Sequence, residues 1–140
     1  MEKRLLQSHS IFPTHDIIRT AEYYEKVLGF RSVKYLEVIE PHICLYRDDT
    51  EIILTMSKKQ RVVPNRELYG YGYDAYFITK NQEQLQQEFL DAGAKIVSQL
   101  SNTDYHNKEF VLEDIDGRWI GFGINDVLWK LDNAVFRYMW

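Results

Sequence analysis

Apolar residues after Asp16 recur at helical spacing. Ile17, Ala21, Tyr24 and Leu28 share one face, Asp16 supplies an N-cap, and Gly29 marks the stop. The short apolar stretch HSIFPT just before the cap reads as a strand. Three strand-like runs follow the helix: FRSVKYLEV, HICLYRD and EIILTM. The acidic, turn-like YRDDTE between the last two reads as a hairpin.

The same order then returns. YDAYFIT reads as a strand and Asn81 as an N-cap; Leu85, Phe89 and Ala92 share a helix face that Gly93 ends. AKIVSQL, KEFVLED and RWIGFGI predict three more strands, with DIDG at the last hairpin. The two caps lie 65 residues apart and the two stop glycines 64 apart. That near-constant offset predicts an internal duplication of a strand–helix–three-strand unit. The modules span residues 5–57 and 70–124 of a single domain over residues 1–140, joined by a polar linker at 58–69 that holds Pro64. The tail, 125–140, places Leu128, Leu131, Val135 and Met139 on one face of a helix. That helix either packs on its own domain or covers a subunit contact or pocket.

Composition narrows the function classes. The 140 residues carry a formal charge of −4 with no long basic run, which disfavours nucleic acid as a partner. A single cysteine, Cys44, excludes an intrachain disulfide and a multi-cysteine zinc site. The first residues lack an apolar stretch long enough for a signal peptide and no segment reads as a membrane span, so a cytoplasmic, membrane-free protein is expected. No nucleophile–base pair or Gly-rich phosphate loop is legible, so no catalytic residue and no cofactor are assigned.

The stretch HSIFPTHDIIRTAEYYEKVLGF, followed by KEFVLEDIDGRWIGF, resembles the vicinal oxygen chelate superfamily of glyoxalases, extradiol dioxygenases and bleomycin-resistance proteins. The resemblance implies an α+β fold in which two tandem βαβββ modules curl a sheet around a cavity, in a homodimer. In metal-dependent members four positions hold a divalent ion. Here they fall on His9, Ile53, Tyr73 and Gly121. Only the first is a usual ligand, so no metal is expected; Glu51, two residues before Ile53, is a displaced carboxylate about one register step too far. His15, next to the cap, reads as a solvated turn residue. The stretch RDDTEIILTMSKKQRVVPN and the element NKEFVLEDIDG resemble the metal-free bleomycin-resistance branch. That likeness implies a binding protein that sequesters a small organic molecule, as in antibiotic resistance. The alternative is a divergent metal-dependent lyase or dioxygenase that recruits His9 with Glu51 or His42.

Alternation along the strands defines the expected binding wall. His9, Ile11 and Pro13 share a side of the first strand. His42, Cys44 and Tyr46 come from the third, Ile53 and Thr55 from the fourth, Tyr73, Ala75 and Phe77 from the fifth, and Trp119 and Gly121 from the last. The assigned ligand-binding residues are His9, His42, Tyr46, Ile53, Tyr73, Trp119 and Gly121, with Gly121 leaving room where metal-dependent members carry Glu. Such a wall suits a partly planar organic ligand. The competing reading is a cavity filled by the protein's own Tyr and Trp side chains.

Overall fold

A computed structural model describes residues 2–127. The first module runs β1 (Ser10–Thr14), α1 (Ile17–Lys26), β2 (Arg31–Tyr35), β3 (His42–Arg47) and β4 (Thr50–Met56). A short helix, α2 (Asn65–Tyr69), lies within the linker. The second module follows as β5 (Ala75–Ile78), α3 (Gln82–Asp91), β6 (Lys95–Asn102), β7 (Asn107–Glu113) and β8 (Trp119–Asn125). The two sheets have the same order, β1-β4-β3-β2 and β5-β8-β7-β6, with the first strand of each parallel to the last and the other pairs antiparallel. The duplication expected from cap and stop spacing is therefore present in the topology. The expected helical tail lies outside the described residues beyond 127. Among the described residues, no helix is long and apolar enough to cross a membrane.

Local chemistry explains the elements. The Asp16 carboxylate accepts from Arg19 N at 3.1 Å, capping α1, and Ile17, Thr20, Ala21 and Tyr24 bury the face that meets the first sheet. Asn81 sits at the matching N-cap, but its side chain makes no cap bond; its backbone N–H donates instead to Thr79 Oγ1. Gly29 ends the first helical segment at φ +75°, and a Cβ there would meet Arg47 Nη1 at 2.8 Å. The strand expected through Val38 stops at Tyr35. Tyr35 pairs with His42, so residues 36–41 must turn, and Pro41 favours that turn.

The inward faces of the sheets and the helices share one core. It contains Phe12, Leu28, Phe30, Ile43, Leu45, Ile52 and Leu54 from the first module and Phe89, Phe110, Leu112, Ile120 and Phe122 from the second. The modules meet through this helix-covered side. Phe30 packs edge-on against Phe77 at 6.2 Å, and Arg47 forms a forked ion pair with Glu88 at 2.6 and 2.9 Å.

Candidate functional site

The acidic turn after β7 forms a buried polar contact between modules. Asp114 accepts from Tyr24 Oη at 2.7 Å, from Arg118 N at 2.9 Å and from Arg118 Nη1 at 3.1 Å. Asp116 accepts from Thr20 Oγ1 at 2.6 Å, Arg118 Nη1 at 3.1 Å and Arg19 Nη1 at 3.3 Å. Arg118 also donates through Nη2 to the Pro13 carbonyl and lies 4.5 Å over the Phe12 ring. Both carboxylates are fully buried, and the Arg118 side chain is 2% exposed. The motif that carries the family resemblance thus ties β8's hairpin to α1 and β1. Burial raises the Asp114 carboxyl above the ordinary aspartate range, and Arg118 and Tyr24 only partly offset that.

Opposite the helix, the first sheet presents His42, Cys44, Tyr46, Glu51, Ile53 and Thr55, in the alternation expected. His9 lies just before β1, beside Glu51, since Ser10 pairs with Ile52. Its Nδ1 is 2.8 Å from Glu51 Oε1. Glu51 had been expected one register step too far, but parallel pairing sets it against His9 directly. Tyr46 pairs with Glu51 across β3 and β4, and hydrogen bonding to that carboxylate, ahead of burial, pushes the phenol above the ordinary tyrosine range. His42 bonds the Glu40 carbonyl through Nδ1 at 2.9 Å and stacks on Tyr35 at 4.9 Å. His42 and Ile53 line a groove of about 740 Å³ with Ile39, Pro41, Thr55 and Met56.

The second sheet's corresponding face is phenolic and centred on a carboxylate. Glu109, 3% exposed, accepts at Oε2 from Tyr73 Oη at 2.7 Å. At Oε1 it accepts from Asn107 Nδ2 at 3.1 Å and from the Tyr76 and Tyr105 hydroxyls at 3.4 Å each. The Tyr73 and Tyr76 rings stack at 6.2 Å. Burial first, then the neighbouring Glu109, pushes both phenols well above the ordinary range. Trp119 donates through Nε1 to Glu113 at 3.1 Å, and Arg66 lies 4.5 Å over its ring. Burial pushes the Glu113 carboxyl up, but donors from Lys95 and Trp119 outweigh it and hold the group below the ordinary range.

Two expectations are corrected here. Ala75 and Phe77 face the helix, because parallel pairing sets them against the core residues Ile120 and Phe122, with Phe77 stacked on Phe122 at 5.3 Å. Tyr76, not Ala75 or Phe77, is the β5 residue on the open face, opposite Gly121. Gly121 does not leave empty space, since a Cβ there would lie 2.6 Å from Tyr76 Cδ2 and the Tyr76 ring already fills the gap. Sequence reasoning missed Tyr76, Tyr105, Asn107 and Glu109. Carrying period-two alternation from Gly121 onto β7 would have placed Asn107 and Glu109 on the same face as Gly121. Tyr105 lies in the β6–β7 turn, where no strand period reaches.

The assigned residues fall into separate groups: His9 with Tyr46 about Glu51, His42 with Ile53 in the groove, Tyr73 with Gly121 about Tyr76, and Trp119 against Glu113. The four positions used by metal-dependent members do not make a donor set here. Ile53 and Gly121 carry no ligating atom, and the Tyr73 hydroxyl is engaged by Glu109. Among the described residues, no three His, Cys, Asp or Glu side chains converge to hold an ion.

Two βαβββ modules of matching topology, joined through their helix sides, define a tandem-module α+β protein. The chain belongs to the Glyoxalase/Bleomycin resistance protein/Dioxygenase superfamily, whose family model matches residues 7–122. In structure it is similar to TioX from Micromonospora sp. ML1, at 16% identity and TM-score 0.63, covering 85% of this chain and 99% of that one. It is also similar to a Glyoxalase/bleomycin resistance protein/dioxygenase superfamily member from Sphaerobacter thermophilus DSM 20745, at 15% identity and TM-score 0.66, covering 85% and 97%. Virulence protein STM3117 from Salmonella typhimurium is similar at 20% identity and TM-score 0.60, covering 88% and 97%. At these identities the likeness is one of fold. No curated protein matches the chain.

Proposed function

We infer that the protein is a metal-free binder of a small, partly aromatic organic molecule, acting as a cytoplasmic homodimer that sequesters a drug or metabolite. The observation that carries this reading is the composition of the open sheet faces. Imidazole, phenol and aliphatic groups line them beside the separate carboxylates Glu51 and Glu109, where a metal-dependent member needs converging donors. The groove beside His42 and Ile53 offers apolar walls with an imidazole and a threonine hydroxyl for orientation. The dimer is supported by apolar side chains left open around the first sheet: Ile11 is 61%, Val38 47% and Met56 58% exposed. Titration of planar aromatic compounds against the purified protein, followed by tryptophan fluorescence, tests the reading. Saturable quenching that His42→Ala weakens supports it; a broad panel without a binder defeats it.

The His9–Glu51 couple favours a second reading, a divergent metal-dependent lyase or dioxygenase, because imidazole and carboxylate 2.8 Å apart are two ligands of the right chemistry. Elemental analysis of untreated protein separates the two. Stoichiometric metal that is lost in His9→Ala selects the enzyme.

A further inference from the structure

We propose that the second sheet's open face recognises a protonated amine carried on an aromatic or aliphatic body, held by the Glu109 carboxylate and the rings of Tyr73, Tyr76 and Tyr105. This rests on the small-molecule-binding reading and names its ligand class. Glu109 is a buried carboxylate with no cation: among the described residues, no Lys, Arg or His lies within ion-pair distance of it. The basic groups on the same sheet are committed elsewhere, Lys108 to Glu83 and Lys95 to Glu113, each at 3.0 Å. The four groups that hydrogen-bond Glu109 are three phenols and an amide, neutral donors that supply no positive charge.

The two oxygens are served unequally. Oε2 has one short donor, whereas Oε1 has three long ones, at 3.1, 3.4 and 3.4 Å. A charge-assisted N–H donor normally sits about 2.7–2.9 Å from its acceptor, so an ammonium at Oε1 offers a stronger bond than any neutral donor there. Neutral donors leave the charge in place; an ammonium cancels it. The phenol rings add the second half of the recognition, since their faces attract a cation and stay neutral while their hydroxyl protons are retained. Tyr105 is 53% exposed and sits in the β6–β7 turn, so the hydroxyl that covers Oε1 on that side belongs to a solvent-facing residue that an incoming ammonium would displace.

The test uses the full chain at pH 7 and three probes of one size: benzylamine (cationic there), benzyl alcohol and benzoate. Calorimetry is expected to give benzylamine an affinity at least about tenfold above benzyl alcohol, the scale of one charge-assisted contact. Glu109→Gln should abolish that preference. Tyr105→Ala, at a half-exposed site in the β6–β7 turn, should weaken benzylamine, while Tyr105→Phe keeps most of the affinity through the ring. Equal binding of the alcohol, stronger binding of benzoate, or a preference that survives Glu109→Gln overturns the amine inference and leaves small-molecule binding standing. No binding of any probe, together with no aromatic binder by fluorescence, overturns both.

Discussion

Replacing Arg118 with methionine keeps most of the side chain's length and removes its charge. Two fully buried carboxylates, Asp114 and Asp116, then lose the guanidinium that lies 3.1 Å from each. Stranding a buried charge in this way costs about 3–5 kcal/mol, out of roughly 5–15 kcal/mol that holds a domain folded. At about 4 °C per kcal/mol for a chain of this size, the melting temperature should fall by about 12–20 °C. The loss should also depend on pH. Burial already raises the Asp114 carboxyl, and without Arg118 it rises further. An acid whose folded-state pKa exceeds its unfolded value of about 3.9 favours folding below that value and loses the contribution as pH rises through the folded pKa. The Arg118→Met deficit should therefore shrink as pH falls from 7 toward 4.5. Urea unfolding followed by far-UV circular dichroism at both pH values measures it. The variant Arg118→Met/Asp114→Asn/Asp116→Asn should recover about half the loss, because neutral amides are cheaper to bury than carboxylates. A deficit below about 1 kcal/mol, or one that grows at low pH, would refute the reasoning.

Other outcomes follow from the same contacts. Gly29→Ala forces a left-handed backbone on a β-carbon that meets Arg47, and urea midpoints should report a loss of about 1–2 kcal/mol. Gly121→Ala displaces the Tyr76 ring, with an overpacking cost of about 1–3 kcal/mol and shifted Tyr73 and Tyr76 ring resonances in NMR spectra. In a spectrophotometric titration, at least five tyrosines should resist ionisation through pH 11: Tyr23, pushed up to about 12 chiefly by burial, with Tyr24, Tyr46, Tyr73 and Tyr76. Because these phenols keep their protons better folded than unfolded, their contribution is complete below pH 10 and is lost above it, so stability should fall steeply above pH 10.

Much of the fold was legible in the chain. Helical spacing after Asp16 and Asn81, the stop glycines and the alternating runs located both modules, because these signals are local: a cap, a turn or a half-buried strand is decided within a few residues. Residue-by-residue alternation also placed His42, Cys44, Tyr46, Ile53 and Thr55 on one face correctly. It failed at β5, where the four-residue strand Ala75–Ile78 is flanked by aromatics on both faces and its period carries no sign.

What the sequence determined by itself was the repeat and the poverty of metal donors at the family's four positions, since Ile53 and Gly121 cannot ligate in any conformation. Tertiary structure alone decided three further things. Parallel pairing of β1 with β4 set His9 against Glu51. The contact between modules turned the acidic turn into a buried clamp on α1. The meeting of β5, β7 and the β6–β7 turn gathered phenols from positions 73, 76 and 105 around Glu109. Apart from Tyr105, four residues from Glu109, these are meetings of side chains dozens of residues apart, and distance along the chain does not encode them; sheet register and module packing do.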